Sequence, residues 1–325
     1  MTGPDPVRAL REAAARPPGP LRALMDEAAD HLDLVLRDKP PGTVAAVAVP
    51  IAVFAGLRPA PPPPGLLTAA AATYLALRAL DDQMDATEPA FWAARRPSEI
   101  VLGALSLLQL AGHVVADGAR PPAAERMRAL YQSMITEVIE GQLLSEAPLS
   151  ETTTAKAVTA AISARSGAML AGFAALAAVA ASAEEKVIDA ARAFGHELGV
   201  ARQHLNDLTE LVGEETGDLR NRTATLATAL ALQPLSPAGR RRLIDTLHTA
   251  ADDPTTRRRL VTENLATAIS EVAVVIELHL HQARRAATVL IGPARRADAL
   301  EELVELTATP LRRNHVRQPG SSSVL

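Results

Sequence analysis

Apolar residues recur along most of this chain at steps of three and four positions, which is the period of an amphipathic helix. Sustained alternation of apolar and polar residues, the pattern of half-buried strands, is not found. The sequence has no glycine-rich phosphate loop and no internal repeat, which excludes the P-loop and Rossmann classes. The pattern predicts an all-α chain. Its helices are expected to end at clusters of proline, glycine and small polar residues: Pro17–Pro20, Lys39–Gly42, Pro59–Gly65, Gly118–Pro122, Ala147–Ser150, Leu232–Ala238, Asp252–Thr255 and Gly292–Pro293.

One predicted helix, from about Glu184 to Glu214, has an apolar side and an acidic side. Taken alone, the acidic side is typical of a helix surface that faces water. The apolar stripe consists of Phe194, Leu198, Ala201, Leu205, Leu208 and Val212. The polar side consists of Gln203, Asn206, Asp207, Glu210 and Glu214.

A second acidic cluster, Asp81, Asp82 and Asp85, closes another apolar helix. Carboxylates this close repel one another unless a cation neutralises them. Helical spacing places Asp81 and Asp85 on one face, which continues backwards through Leu77, Tyr74, Ala70 and Leu67. An acidic mouth above an apolar face suits a ligand with an anionic head and a hydrocarbon tail. We expect Mg²⁺ to bridge this cluster to a diphosphate.

Composition narrows the class of partner. The formal net charge is −4, so there is no basic footprint for nucleic acid. The chain has no cysteine, which excludes disulfides and cysteine-ligated zinc and fits a cytoplasmic location.

The start, Met1 to Arg8, lacks the apolar core of a signal peptide. Thr43–Leu57 is short and contains Pro50, and Ala157–Ser182 is alanine-rich and interrupted by Arg165, so both are expected to be buried helices and not transmembrane segments.

Six short fragments resemble, in order, those of the trans-isoprenyl diphosphate synthase (polyprenyl synthetase) family and its class I terpene synthase relatives. Asp81–Asp85 looks like the family's first DDxxD motif, and Arg95–Pro97 resembles the arginine pair after it. Gln203–Glu210 stands where the family has QxxDDxxD. The remaining three fragments are Gly141-Gln142, which resembles the family's GQ pair, Arg165-Ser166-Gly167, which looks like a diverged KTG, and Gly217–Leu226, which resembles its DL…KxTLP segment.

Three departures from the family pattern bear on function. The GGKRxRP motif that binds isopentenyl diphosphate in the family has no counterpart, because the region reads Lys39-Pro40-Pro41-Gly42. The second acidic motif is NDxxE, and the lysine of KTG has become Arg165. Asn206, Glu210 and Glu214 also partly resemble the metal triad of terpene synthases. Elongation on isopentenyl diphosphate is therefore not the expected reaction.

The resemblance implies a single-domain, all-α bundle around a central cavity, the isoprenoid synthase fold, over residues 1–311, with a disordered tail at 312–325. It implies a homodimer that ionises an allylic prenyl diphosphate with Mg²⁺, three ions being usual. Catalytic roles fall to Asp81, Asp82, Asp85, Asn206 and Glu210, and metal binding to these five with Asp207 and Glu214. Substrate-binding candidates are Arg95, Arg96, Gln142, Arg165, Gln203, Arg222, Tyr74, Ala76 and Leu77.

Three functions stay open at this point. Prenyl transfer to a non-standard acceptor is favoured, because the isopentenyl diphosphate motif is missing. Class I terpene cyclisation is the alternative, although the chain has only four Phe, two Tyr and one Trp with which to stabilise cations. A non-catalytic partner subunit of a prenyl diphosphate synthase is the third. In the resembling family a small residue at the position of Ala76 admits longer chains, so a C15–C20 substrate is expected.

Overall fold

The computed structural model describes residues 5–15, 19–38, 42, 44–85, 91–213, 217–291 and 298–315, with no account of side chains from 310 onward. Every regular element in these ranges is helical, which confirms the all-α prediction. The helices are α1 Pro6–Ala14, α2 Pro20–Asp38, α3 Ala45–Leu57, α4 Pro64–Met84, α5 Pro97–Val114, α6 Ala123–Ser145, α7 Ala155–Ile162, α8 Ala168–Ala180, α9 Glu185–Val212, α10 Gly217–Asn221, α11 Leu226–Leu232, α12 Pro237–Ala250, α13 Pro254–Arg259, α14 Ala266–Leu290 and α15 Asp298–His315. Two π-helical turns, Ser163–Gly167 and Leu260–Asn264, join α7 to α8 and follow α13.

The alanine-rich helix α8 forms the centre of the core. It is buried along almost its whole length and packs against α3, α6 and α9. Glycine lets α9 approach it closely, because a Cβ on Gly195 would lie 2.2 Å from the Leu170 carbonyl oxygen. The stretch Ala155–Ala180 is long and apolar enough to cross a membrane by composition, but 72% of its most apolar window is buried inside the bundle. Burial of this kind is what a core helix shows.

The central helix α9 matches the helix predicted from about Glu184 to Glu214. Five of the six stripe residues, Phe194 to Leu208, are buried as predicted. Val212 is 45% exposed, so its assignment to the core was wrong. It is the last residue of α9, and the preceding Leu211 is buried in its place at 3% exposure.

The interface between α9 and α14 contains a polar cluster. His279 Nδ1 donates a hydrogen bond to Glu197 at 2.6 Å, and His196 Nδ1 lies 3.3 Å from the same carboxylate. His204 is fully buried two turns further along α9, and neither of its ring nitrogens has a hydrogen-bond partner among the described residues. Burial lowers the pKa of His204 to about 4, and nearby His279 adds to the effect. His204 is therefore a neutral core residue near neutral pH.

The C-terminal helix α15 continues to His315, four residues into the segment expected to be a tail. Residues 316–325 lie outside the described residues, as do Lys39–Pro41 of the region that lacks the family's glycine-lysine motif. Gly42 is described, and a Cβ on it would meet Leu303 of α15 at 2.9 Å. The start of α3 therefore lies beside α15.

Candidate active site

Two acidic helix ends come together in the bundle. The first wall is the end of α4, with Asp81 half-buried and Asp85 exposed. The second wall is the last turns of α9, with Gln203, Asp207 and Glu210 half-buried. The short helix α10 joins them, because the Asn221 amide donates to the Asp85 carboxylate at 3.2 Å.

Arg165 lies where it acts on both walls. The π-helical turn Ser163–Gly167 presents its guanidinium, and Nη1 donates to Gln142 Oε1 at 3.0 Å. Its charge lowers the pKa of Asp81 and Asp85 on one wall and of Asp207 on the other. One arginine therefore serves as a shared counter-charge for acids from two helices.

The net pKa of these acids is nevertheless raised. Burial raises the pKa of Asp81 to about 6, with Asp85 and Asp82 adding repulsion to that effect. Burial likewise raises the pKa of Asp207 to about 6, although Gln203 Nε2 donates to its carboxylate at 2.8 Å. A single guanidinium thus does not neutralise the cluster, and further positive charge would be stabilised there.

Asp218 at the start of α10 is the most perturbed acid. Burial raises its pKa to about 8, and repulsion from Asp207 and Glu210 adds to the shift. The Asp218 backbone N–H donates to Glu210 Oε1 at 2.6 Å, which holds Glu210 towards α10. Glu146 of α6 further raises the pKa of Asp85, after burial.

Sequence reasoning missed Glu146, Asp218, Asn221 and Ser166 as members of this site. Asp218 and Ser166 stand inside fragments already recognised by resemblance, so their position was the available signal. Ser166 Oγ donates to Gln203 Oε1 at 2.8 Å. Asn221 also stands inside a recognised fragment, whereas Glu146 gave no local signal, because only the tertiary arrangement brings it near Asp85.

Asp82 lies apart from its two neighbours. It is only 3% exposed and forms an ion pair with Arg78 at 3.0 Å, one turn back along α4. Its role as a metal ligand stays a prediction, and would require the Arg78 pair to open. In this structure Asp82 contributes negative charge from behind Asp81.

The arginine pair lies at the start of α5, beyond residues 86–90, which are outside the described part of the chain. Arg95 Nε donates to Glu27 Oε2 of α2 at 3.3 Å, and a second, shorter contact joins Arg95 to the same carboxylate. Arg96 Nε donates to Glu99 at 3.2 Å. Both guanidinium groups thus have acidic partners outside the two walls.

The segment before the arginines is anchored by aromatic contacts. Trp92 Nε1 donates to the Leu24 carbonyl of α2 at 3.0 Å, and the indole packs on Phe91 with ring centroids 4.7 Å apart. A Cβ on Gly103 would come 2.7 Å from the indole ring. Phe91 and Trp92 therefore belong to the α2–α5 joint, which leaves fewer aromatic residues for contact with a substrate.

The remaining predicted residues occupy varied positions. Asn206 is exposed on α9, and Arg222 is exposed after α10 with a left-handed φ of 56°. Gln142 is half-buried between Arg165 and Glu146. Glu214 lies outside the described residues. Of the predicted second-motif ligands, Asp207 and Glu210 interact with the cluster most clearly.

The apolar face of α4 lies behind the first wall. Ala76 is fully buried, whereas Leu77 and Tyr74 are half-buried. Burial raises the pKa of Tyr74, with Arg78, Asp82 and Arg202 as its charged neighbours. This wall is therefore apolar at Leu77 and polar at the Tyr74 hydroxyl.

The family model for polyprenyl synthetase matches residues 99–263, just over half of the chain. The chain belongs to the polyprenyl synthetase family. The matched residues include both sides of the Arg165 turn and the second acidic wall, while Asp81–Asp85 precede them.

Individual relatives agree with the family. The (2E,6E)-farnesyl diphosphate synthases of Mycobacterium bovis and Mycobacterium tuberculosis are 31% identical over 191 residues, which is 53% of this chain and 53% of each relative. The chain thus spans about half the length of these curated relatives.

Solved structures share the fold of this polyprenyl synthetase. A decaprenyl diphosphate synthase from Rhodobacter capsulatus superimposes with a TM-score of 0.76 at 17% identity, covering 96% of each chain. Geranylgeranyl pyrophosphate synthase from Corynebacterium glutamicum, complexed with isoprenyl diphosphate and magnesium, gives 0.73 at 20% identity, covering 96% of this chain and 100% of the other. The isoprenoid synthase fold predicted by resemblance is confirmed.

The described residues line two hollows, one separate from the two acidic walls and one at their edge. One of about 790 Å³ is lined by α11, α12 and the start of α14, away from the acids. A second, of about 10 Å³, lies beside Asp218 and Arg222. We place the site at the walls and not in the larger hollow, because the walls bring together the perturbed carboxyl groups and Arg165.

The donor set at the walls suits a hard cation. Within the described ranges, no group of three or more Asp, Glu or His side chains is arranged to hold a metal ion by itself. Mg²⁺ commonly binds one or two carboxylates and completes its shell with water and phosphate oxygens. Asp81, Asp85, Asp207 and Glu210 offer that kind of partial site, and the raised pKa of Asp81 and Asp207 reflects burial and repulsion that a cation would offset.

Proposed function

We propose that this polyprenyl synthetase ionises an allylic prenyl diphosphate in the presence of Mg²⁺ and transfers the prenyl group to an acceptor. The observation that carries the proposal is the position of Arg165, whose charge acts on acids from both walls. A diphosphate bound there would meet a fixed guanidinium, and hard cations would bridge its remaining oxygens to the carboxylates.

Mg²⁺ bound by Asp81, Asp85, Asp207 and Glu210 would supply Lewis-acid stabilisation of the charge that develops on the leaving diphosphate. The number of ions is expected to be three, by family resemblance. Arg165 contributes a positive charge, and its planar fork suits two phosphate oxygens. Gln142 holds that fork by accepting from Nη1 at 3.0 Å.

The hydrocarbon tail would run along α4 below Asp81, past Leu77 and Tyr74. Ala76 is small and fully buried, and family resemblance at this position supports a C15–C20 substrate, because a bulkier side chain there would close the path. The acceptor is proposed to be other than isopentenyl diphosphate, since Lys39-Pro40-Pro41-Gly42 replaces the family's binding motif. Such a reaction would break the allylic carbon–oxygen bond, release diphosphate with the bonding electron pair, and form one bond from the allylic carbon to the acceptor, which would lose a proton to the released diphosphate.

Two alternatives have support of their own. Terpene cyclisation shares the ionisation step, and Asn206, Glu210 and Glu214 are spaced like its metal triad. A silent partner subunit is supported by the diverged second motif. The joint made by Phe91 and Trp92 removes two aromatic side chains from cation stabilisation, which favours transfer over cyclisation.

A homodimer in the cytoplasm is the proposed assembly and location. On the neighbouring helices α5 and α6, Leu102, Leu105, Leu143 and Leu144 are each more than half exposed. Exposed apolar side chains in such number are typical of an interface. Replacing Leu102 and Leu143 with glutamate should convert the dimer to a monomer in light scattering, and wild-type protein that is already monomeric would contradict the assembly.

One incubation series tests the function. Purified protein receives Mg²⁺ and geranyl, farnesyl or geranylgeranyl diphosphate, with and without isopentenyl diphosphate or another nucleophile. Diphosphate release that depends on a nucleophile supports prenyl transfer, and a longer diphosphate made with isopentenyl diphosphate would overturn the non-standard acceptor. Hydrocarbon or alcohol from the allylic substrate alone supports cyclisation. Absence of release in every arm would leave the silent partner subunit.

A further inference from the structure

The π-helical turn Ser163–Gly167 occupies a gap that glycines keep open. A Cβ on Gly141 of α6 would lie 2.4 Å from the backbone nitrogen of Arg165. A Cβ on Gly199 of α9 would lie 2.3 Å from the carbonyl oxygen of Ser166. A Cβ atom cannot lie this close to another heavy atom, so only glycine fits at either position. The backbone of the turn is therefore in direct contact with the backbones of α6 and α9. A widened turn of this kind is often found at functional sites.

Two adjacent side chains of the turn, Arg165 and Ser166, connect it to the rest of the site. Arg165 Nη1 donates to Gln142 Oε1 at 3.0 Å, and its charge acts on acids of both walls. Ser166 Oγ donates to Gln203 Oε1 at 2.8 Å, and Gln203 Nε2 donates to Asp207 Oδ1 at 2.8 Å. Because an amide has one oxygen and one NH₂ group, the bond from Ser166 leaves the NH₂ group directed at Asp207. The rotamer of Asp207 is thus linked to the turn.

We propose that this turn, held between α6 and α9, positions the second acidic wall, and that Gly199 and Ser166 are its positioning residues. Gly199 admits the turn against α9. Ser166 orients Gln203 and, through it, Asp207. The kinetic test of this inference rests on the proposed function. The positioning of Asp207 by the turn can be tested without it.

The chain contains a matched control for Gly199. Gly195 stands one turn earlier on α9 and meets α8 equally closely, its Cβ lying 2.2 Å from the Leu170 carbonyl oxygen. None of the close neighbours of Gly195 belongs to the Arg165 turn. Alanine at position 195 therefore forces a backbone shift between α8 and α9, and alanine at position 199 forces a similar shift between the π-helical turn and α9. Only Gly199→Ala displaces Ser166.

The test compares Gly199→Ala and Gly195→Ala by melting temperature, kcat and KM for diphosphate release. Both variants should lose similar thermal stability. Gly199→Ala should lower kcat by about fiftyfold or more, because moving a group of the active site by about an ångström causes a loss of rate of that order. Gly195→Ala should lower kcat by less than about threefold. Equal losses of kcat, or a Gly199→Ala enzyme with wild-type kcat, would overturn the proposal.

Ser166 supplies a second test should Gly199→Ala fail to fold. Ser166→Ala should raise KM and lower kcat by about tenfold in total, and Ser166→Thr should recover most of that loss by restoring the hydroxyl. A crystal structure of Ser166→Ala should show the Gln203–Asp207 hydrogen bond broken. An intact Gln203–Asp207 hydrogen bond in that variant would refute the positioning role. This result does not depend on whether wild-type protein turns over a prenyl diphosphate, so the two proposals can fail separately.

Discussion

The Asn221 side-chain amide donates hydrogen bonds to the Asp85 carboxylate at 3.2 Å and to the Asp85 carbonyl at 3.3 Å. These two residues are 136 positions apart in the sequence. The bonds tie α10 to the end of α4, so the first acidic wall is held by the segment that follows the second wall. They also lower the pKa of Asp85, opposing burial and the repulsion from Glu146.

Asn221→Asp should weaken diphosphate binding in the presence of Mg²⁺. The substitution replaces a donor with another carboxyl group beside Asp85, so the cluster gains repulsion where it had a hydrogen bond. We expect KM for the allylic diphosphate to rise by about tenfold, and Asn221→Ala to give a smaller rise. Steady-state kinetics at fixed Mg²⁺ measures this, and an unchanged KM in Asn221→Asp would exclude the contact from substrate binding.

Arg165→Met should abolish most activity, whereas Arg165→Lys should retain part of it. Methionine removes the charge that lowers the pKa of Asp81 and Asp207, and lysine keeps the charge but loses the planar fork. We expect kcat to fall by about a hundredfold or more in the methionine variant and by less in the lysine variant. Arg241→Met is the control, because Arg241 is exposed on α12 and pairs with Glu151 at 3.5 Å. An Arg165→Met variant as active as that control would refute the role.

Asp218→Asn should stabilise the ligand-free protein in a pH-dependent manner. Folding raises the pKa of Asp218 from 3.8 to about 8, so ionisation of this group costs stability increasingly as the pH rises through that window. Asparagine removes the cost, and we expect a higher melting temperature than wild type at about pH 8.5 but little difference at about pH 5. Melting curves at both pH values check the sign; a lower melting temperature for Asp218→Asn at the alkaline value would contradict the assigned repulsion.

His204→Leu should reduce the loss of unfolding free energy that wild-type protein shows as the pH falls from about 6.5 to about 4. Folding lowers the pKa of His204 from 6.5 to about 4, so the unfolded chain binds more protons between these values and stability is lost as the pH falls through them. A pKa shift of this size lowers the free energy of unfolding by about 3 kcal/mol once the pH is below both values. Urea unfolding near neutral pH and in mild acid measures it. His281→Leu, at an exposed position of α14, should follow wild type, and a His204→Leu curve parallel to wild type would argue against the shift.

Two substitutions on α4 should change the accepted chain length in opposite directions. Ala76→Phe places a ring at a fully buried position of the proposed tail wall and should shorten the preferred substrate. Leu77→Ala enlarges the same wall and should lengthen it. Competition among C10, C15 and C20 diphosphates, read as kcat/KM ratios, gives the preference. If both variants keep the wild-type order, the tail does not run along this helix.

The fold was predictable because helical periodicity and proline punctuation are local signals. The α9 prediction was right within two residues at each end, and its buried stripe failed only at Val212 in the final turn. Burial of a terminal turn depends on neighbours that the helix's own sequence does not encode. The same reasoning placed the alanine-rich α8 in the core.

The site was only partly predictable, because residue type marks a cluster and tertiary contacts decide its geometry. Asp81 and Asp207, the two acids that share the charge of Arg165, came from the motifs. The ion pair between Asp82 and Arg78 did not, since one turn of spacing permits it without requiring it. Asp218 and Ser166 act through bonds to α9, which depend on how closely the turns pack.

Trp92 is the sole tryptophan of the chain, and it lies in the α2–α5 joint, three residues before Arg95. Its indole is shielded from water and hydrogen-bonded to α2, so its fluorescence should be blue-shifted in the resting protein. Ligands that draw Arg95 away from Glu27 must disturb this joint. The emission spectrum of the native protein therefore offers a label-free binding assay, in which each prenyl diphosphate can be titrated before any product has been identified.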